Sequence, residues 1–325
     1  MRAYGRLLRL SLTASCVADV LGGALAAGGS LAGRGSDVAL TLAASLGLYH
    51  GGMALNDWAD RHEDGRVRPD RPLPSGAVAS SSALALGLAL LFGGVACAWR
   101  VGPIQGWLAA GIAGVVLVYD LGGRGPWAGP LALGAARGAN LCLGMSLGFL
   151  GPDAPNALDP VGLEPASARP AGPLSPYVLA ALVGTYTCYV VLVSRLGRFE
   201  DAPRAPEPAF VRRLLRTTAG LLLLVPALGL GSGLATSSSA VTFGSLGALA
   251  VVALAVRGLV PMARTAPREP RDLLPIMGAL LRRLLVATSA MALLPGTQAS
   301  WIGGLALVGL GYPVSHALRR VFPPS

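Results

Sequence analysis

Apolar residues along this chain fall into long runs separated by short, arginine-rich polar stretches. A membrane-crossing helix needs roughly 20 mostly apolar residues. Runs of that kind lie at 8–30, 37–57, 80–99, 104–122, 128–150, 173–196, 210–232, 238–260, 273–295 and 299–317. They predict an all-α, polytopic membrane helical bundle of roughly nine or ten spans, with residues 1–325 forming a single integral-membrane domain. The count is open because Arg282 and Arg283 interrupt the ninth run and Pro313 the tenth. The longest connection, 151–176, is rich in proline and is expected to be irregular. The first run follows Arg2, Arg6 and Arg9, as the core of a signal peptide would. It is long for that role and is read as a first transmembrane helix. No internal repeat is evident, which counts against a simple inverted-repeat transporter.

Charge orders these runs in the membrane. Cytoplasmic loops carry an excess of basic residues. With the N-terminus inside, the inner segments hold Arg2, Arg6 and Arg9, then Arg61, Arg66, Arg68 and Arg71, then Arg124, Arg195, Arg198, Arg204, Arg212 and Arg213. Further on they hold Arg257, Arg264, Arg268, Arg271, Arg319 and Arg320. The outer segments hold Arg34, Arg100 and Arg169 beside Asp37, Asp153, Asp159 and Glu164. The expectation is a multi-pass protein of the inner or plasma membrane, with its N-terminus and motif loops cytoplasmic.

Composition agrees. Hydrophobic residues make up 53% and charged residues 13%; a soluble domain carries about 25% charged residues, so an ordinary soluble enzyme is excluded. The formal charge is +10 and every one of the 26 cations is arginine, a bias of coding rather than of function. In so apolar a chain the basic balance points to membrane lipid and not to nucleic acid. Cys16, Cys97, Cys142 and Cys188 lie far apart in apolar runs, with no disulfide or zinc spacing, and read as small buried residues.

Chemistry concentrates at 56–76. Asn56-Asp57-Trp58-Ala59-Asp60-Arg61-His62-Glu63-Asp64 closes the second run. At about 100° per residue, Asp60, Asp64 and Asn56 fall about 60°, 20° and 100° to one side of Asp57. One helix face therefore carries three carboxylates and an amide, which repel unless a cation joins them. Mg²⁺ prefers oxygen ligands and is held by one or two carboxylates together with substrate phosphates. The alternative is a solvated acidic helix end, but three of only 16 acids share this face at a membrane boundary. Glu63 and His62 point elsewhere and read as solvated. Arg66-Val67-Arg68-Pro69-Asp70-Arg71-Pro72-Leu73-Pro74-Ser75-Gly76 follows, a loop stiffened by three prolines. Carboxylates with a metal, then guanidinium groups, make a diphosphate site.

The Asn56–Asp64 pattern followed by Arg68-Pro-Asp-Arg-Pro-Leu-Pro-Ser-Gly76 resembles the UbiA superfamily of membrane prenyltransferases. The resemblance implies a bundle around a central cavity and transfer of a prenyl group from a polyprenyl diphosphate, with Mg²⁺, to an aromatic or other lipophilic acceptor. Asp57, Asp60 and Asp64 would then be catalytic and hold the metal, and Asn56, Arg68 and Arg71 would bind diphosphate. Tyr119 followed by Arg124 partly matches a Tyr-to-cation spacing of the family and joins the diphosphate set. Arg137 and Asn140 share a face deep in the fifth run, where a charge is expensive; they face either the cavity and its diphosphate or a neighbouring helix. Asp19 would orient an acceptor or pair with an arginine. His50 precedes the acidic motif by one or two turns and reads as structural. The family's second acidic motif is degenerate here: Ser194-Arg195-Leu196-Gly197-Arg198-Phe199 precedes only Glu200 and Asp201, which supply at most one ligand between them. This start is similar to a divergent branch that includes EboC-like proteins. It keeps a second function open: a non-catalytic or transport-like member that binds or moves an isoprenoid.

Overall fold

The computed structural model describes residues 2–28, 31–122, 125–149, 174–199, 202, 204–264, 267 and 269–322. Among them there is no strand. The helices are α1 (Arg2–Leu7), α2 (Thr13–Ala26), α3 (Gly35–Val67), α4 (Ser80–Val101), α5 (Pro103–Asp120), α6 (Ala128–Met145), α7 (Pro176–Gly197), α8 (Pro208–Ala235), α9 (Ser239–Arg257), α10 (Val260–Arg264), α11 (Leu273–Leu293) and α12 (Gln298–Val321). Among the described residues eight helices are long and apolar enough to cross a membrane: α3, α4, α5, α7, α8, α9 continued through α10, α11 with the turn before it, and α12. The two other long predicted runs, at α2 and α6, are shorter or more polar. α2 with its preceding turn spans only Leu10–Ala26, and α6 carries Arg137 and Asn140.

Three predicted spans differ in detail. The run at 8–30 is not one helix. Arg9 adopts a left-handed conformation (φ 48°, ψ 48°) and separates α1 from a 3₁₀ turn at Leu10–Leu12 that leads into α2. The interruption expected at Arg282 and Arg283 is absent, and α11 is continuous and the most enclosed of these spans. Arg283 is tolerated there because its Nε donates to the Ala255 carbonyl (3.1 Å) and its Nη1 to that of Ala279 (2.9 Å). α12 likewise runs through Pro313, as proline-containing membrane helices do when neighbours support the backbone. The irregular connection expected at 151–176 lies outside the described residues except for its last three.

Two larger apolar clusters, among several, hold the bundle. One joins Tyr186, Tyr189 and Leu196 of α7 to Leu215 and Leu222 of α8, Val252 of α9 and Leu280 and Met291 of α11. The other joins Ala44, Leu48 and Leu55 of α3 to Leu91 and Ala98 of α4 and Ala109 and Ile112 of α5. Outward faces stay apolar, with Phe92, Trp107, Leu234, Phe243, Leu254 and Leu310 exposed. Of the cysteines expected to be buried, Cys16 is; Cys97 and Cys142 are half-buried and Cys188 is exposed.

α3 and α4 meet along a glycine seam. A Cβ on Gly47 would lie 2.7 Å from the Leu90 carbonyl oxygen, and one on Gly51 would lie 2.9 Å from that of Gly87. Small residues let membrane helices approach this closely. Gly51→Val is therefore expected to lower stability by about 1–3 kcal/mol, read as a lower unfolding midpoint of the purified protein. Gly93→Ala on the open face of α4, where a Cβ meets nothing within 4 Å, should be near-neutral.

Candidate functional site

The acidic motif occupies the last three turns of α3, and its face is as the spacing predicts. Asp57 and Asp64 are buried, Asp60 is half-buried, and His62 and Glu63 are exposed. The Asn56 amide donates to Asp60 Oδ2 at 3.1 Å. Arg68 caps the helix, its backbone N–H donating to the Asp64 carbonyl at 2.7 Å. The proline-stiffened loop then folds back as successive turns: Arg71 N–H donates to the Arg68 carbonyl (3.1 Å) and Ser75 N–H to that of Arg71 (3.0 Å). These turns press the Arg71 guanidinium against the acidic face, where Nη1 lies 2.5 Å from Asp64 Oδ2 and 3.8 Å from Asp57 Oδ1.

Arg9, absent from the sequence-derived set, completes the cluster. Its left-handed backbone turns the chain so that Nη2 donates to Asp57 Oδ1 at 3.2 Å. Such a conformation is strained for a residue other than glycine, and the ion pair is what it accomplishes. The sequence signal was weak: the stretch from Arg9 into Leu10–Gly23 resembles the UbiA pattern slightly, and its charge reads equally as one that orients the helix. The carboxylates are thus gripped by two arginines, and no group of three His, Cys, Asp or Glu close enough to hold a metal occurs among the described residues. Arg71 Nε is buried and has no hydrogen-bond partner among the described residues.

From Asn56 a cleft runs into the bundle. Asn56, Tyr49 and Met53 of α3, Tyr119 and Asp120 of α5, and Arg137 and Asn140 of α6 are on its wall, with Leu48, Ile112, Val115 and Leu133 between them. Asp120 was missed by sequence reasoning, although a rare acid at a span end was a signal available to it. Asp19 is fully buried and pairs with Arg137 (Nη2 to Oδ2, 3.3 Å). It also accepts from Asn140 Nδ2 at 3.1 Å and from the Tyr186 hydroxyl. Arg137 reaches Cys16 Sγ (3.1 Å) and the Tyr186 oxygen (3.2 Å) as well. Arg137 thus lines the cleft and also contacts neighbouring helices. His50 is structural, with Nδ1 at 2.7 Å from the Leu8 carbonyl and Nε2 at 3.2 Å from the Thr13 hydroxyl. Arg124, Glu200 and Asp201 lie outside the described residues; Arg195, just before the latter two, stacks over Trp127 at 3.7 Å.

Residues 16–277 match the UbiA prenyltransferase family. The chain belongs to this family. With the eight apolar helices among the described residues, this makes it an integral membrane protein. Over 142 residues it is 34% identical to a digeranylgeranylglyceryl phosphate synthase of Methanothrix thermoacetophila, a match covering 42% of this chain and 53% of that protein. Over 114 residues it is 34% identical to a 4-hydroxybenzoate octaprenyltransferase of Pectobacterium carotovorum subsp. carotovorum, covering 33% and 40% respectively. The chain thus spans about half the length, or less, of the curated relatives it matches. Its fold is similar to that of a UbiA homologue from Archaeoglobus fulgidus bound to DMAPP and Mg²⁺, with a TM-score of 0.60 and 16% identity, covering 94% of this chain and 99% of that one.

The Arg71 bridge makes a stability prediction for this UbiA-family chain. Arg71→Ala leaves two buried carboxylates facing each other and should cost about 3–5 kcal/mol, read as a lower midpoint of thermal unfolding. Arg66→Ala, exposed on the same segment, should change it by less than about 0.5 kcal/mol.

Proposed function

We propose that this protein is a prenyltransferase that moves a prenyl group from a polyprenyl diphosphate to a lipophilic acceptor inside the membrane. The observation that carries this reading is the juxtaposition of a buried acidic helix face, a clasp of arginines and an apolar cleft leading away from both. The relatives support it: two are named for prenyl transfer, and the Archaeoglobus homologue is bound to DMAPP and Mg²⁺. The donor set fits Mg²⁺, since Asp57 and Asp64 present carboxylate oxygens a single cation already bridges, that of Arg71. Two carboxylates with substrate phosphate oxygens are a usual Mg²⁺ shell. Asp57 and Asp64 would hold the ion, with Asp60, on the same helix face, and Glu200 or Asp201 drawn in as further ligands once the cation and diphosphate are bound. When bound, it would act as a Lewis acid on the diphosphate leaving group.

The chain's own residues do the rest. Arg71 carries a buried N–H that needs an acceptor, and a phosphate oxygen is one. With Arg68, Arg124, Asn56 and Tyr119 it binds the diphosphate and stabilises the charge that grows as the C–O bond breaks. The apolar wall of Leu48, Ile112, Val115 and Leu133 keeps water from the allylic cation until the acceptor attacks. The whole chain acts as one domain, oriented with the acidic motif and the N-terminus in the cytoplasm, as the arginine-rich segments favour. An aromatic acceptor is the form proposed.

Diphosphate release by the purified protein tests this. A panel of prenyl diphosphates is offered with and without Mg²⁺, together with an acceptor mixture extracted from host membranes. Release should require Mg²⁺ and fall about 100-fold or more in Asp57→Ala and in Asp60→Ala. The arginine clasp on Asp57 and Asp64 also suits a carrier that binds an isoprenoid without cleaving it. Binding of donor with no release under any condition would establish that role and sink the transferase.

A further inference from the structure

The polar cluster at the inner end of the cleft is built differently from the acidic end. Arg137 and Asn140 stand on the cleft wall with Cys16. Their counter-ion stands behind them: the Asp19 side chain is 0% exposed, whereas that of Arg137 is 14% exposed. Asp19 accepts from Arg137, Asn140 and Tyr186 together, so the guanidinium is locked in place and its charge is balanced. None of these partners engages Arg137 Nε. What the cluster offers the cleft is a rigid set of N–H donors with no net charge.

Charge sets the ligand apart from the diphosphate. Asp57 and Asp64 form the acidic face that suits a metal and its phosphate, whereas Arg137 already carries its own counter-ion in Asp19. An anion gains little from a cation already neutralised. Leu48, Ile112, Val115 and Leu133 line the same cleft.

We propose that Arg137 and Asn140, positioned by Asp19 and Tyr186, are the polar end of an acceptor subsite. They would take an uncharged oxygen, hydroxyl or carbonyl, of a flat or elongated lipophilic molecule whose reactive end lies toward Asn56. This rests on the prenyl-transfer reading and narrows it: the acceptor carries a second, neutral oxygen remote from its reacting atom. Arg137 and Asn140 thereby serve the second substrate and not the diphosphate. Asp19 and Tyr186 act through Arg137.

Equilibrium binding to the purified full-length protein decides it, with 2,6-dihydroxynaphthalene, 2-naphthol and 6-hydroxy-2-naphthoate as probes and farnesyl diphosphate as the donor control. The parent protein should bind the diol about tenfold tighter than either of the other two. Asp19→Asn, which unbalances Arg137, should shift preference toward the naphthoate by about tenfold. The double variant Asp19→Leu/Arg137→Leu removes the buried pair together, which costs less than leaving one partner as an unpaired buried charge. It should abolish the preference for the diol and leave farnesyl diphosphate affinity within about twofold.

A tenfold loss of farnesyl diphosphate affinity in the double variant would return Arg137 to the diphosphate site and overturn the proposal. So would a parent protein without preference for the diol, or a preference that survives both variants; the cluster would then only brace helices. Failure of the parent to bind farnesyl diphosphate at all would count against prenyl transfer, while the comparison of naphthalenes would still decide the subsite.

Discussion

An ionised carboxylate inside an apolar bundle has to be neutralised where it stands, and this requirement shapes the molecule more than any other. Unpaired, each buried acid would cost several kcal/mol. Asp57 and Asp64 are neutralised by Arg9 and Arg71, and Asp19 by Arg137. Each pairing dictates backbone elsewhere. The left-handed turn at Arg9 breaks the N-terminal helix to bring its guanidinium to α3. The successive turns after Arg68 do the same for Arg71. The pairing at Asp19 ties α2, α6 and α7 together across the bundle.

The glycine seam complements this. Electrostatic pairs tolerate little slack, since a guanidinium displaced by an ångström leaves a buried charge exposed to hydrocarbon. Contact between α3 and α4 at backbone distance gives the acidic face a fixed platform. The continuous, enclosed α11 gives α2 one on the other side. Rigid helices, not loops, therefore carry the acids, and the one loop involved is stiffened by proline.

Helix positions and the acidic face were legible because each depends on local pattern. Apolar run length locates spans whatever their neighbours, and a period of 3.6 places Asp57, Asp60 and Asp64 together without tertiary information. The same logic found Arg137 with Asn140. Partners were not legible. Nothing local distinguishes Arg9, which pairs with Asp57, from Arg6 or Arg66. Whether Arg283 breaks a helix depends on the Ala255 carbonyl of α9, which only the packed structure supplies. Pattern likewise could not say that the charge of Arg137 is already spent on Asp19, because the two are far apart in sequence and meet only when α2 lies against α6.

The absence of lysine has a consequence for proton traffic. Guanidinium groups remain protonated throughout the accessible pH range, so no cation in this site can accept a proton. His62, within the motif, points away to solvent, and His50 has both ring nitrogens engaged. Any alkylation that expels a proton from its acceptor must hand it to an oxygen base. Among the described residues lining the cleft, Asp120 is the one carboxylate, set at the end of α5 where the interior meets water.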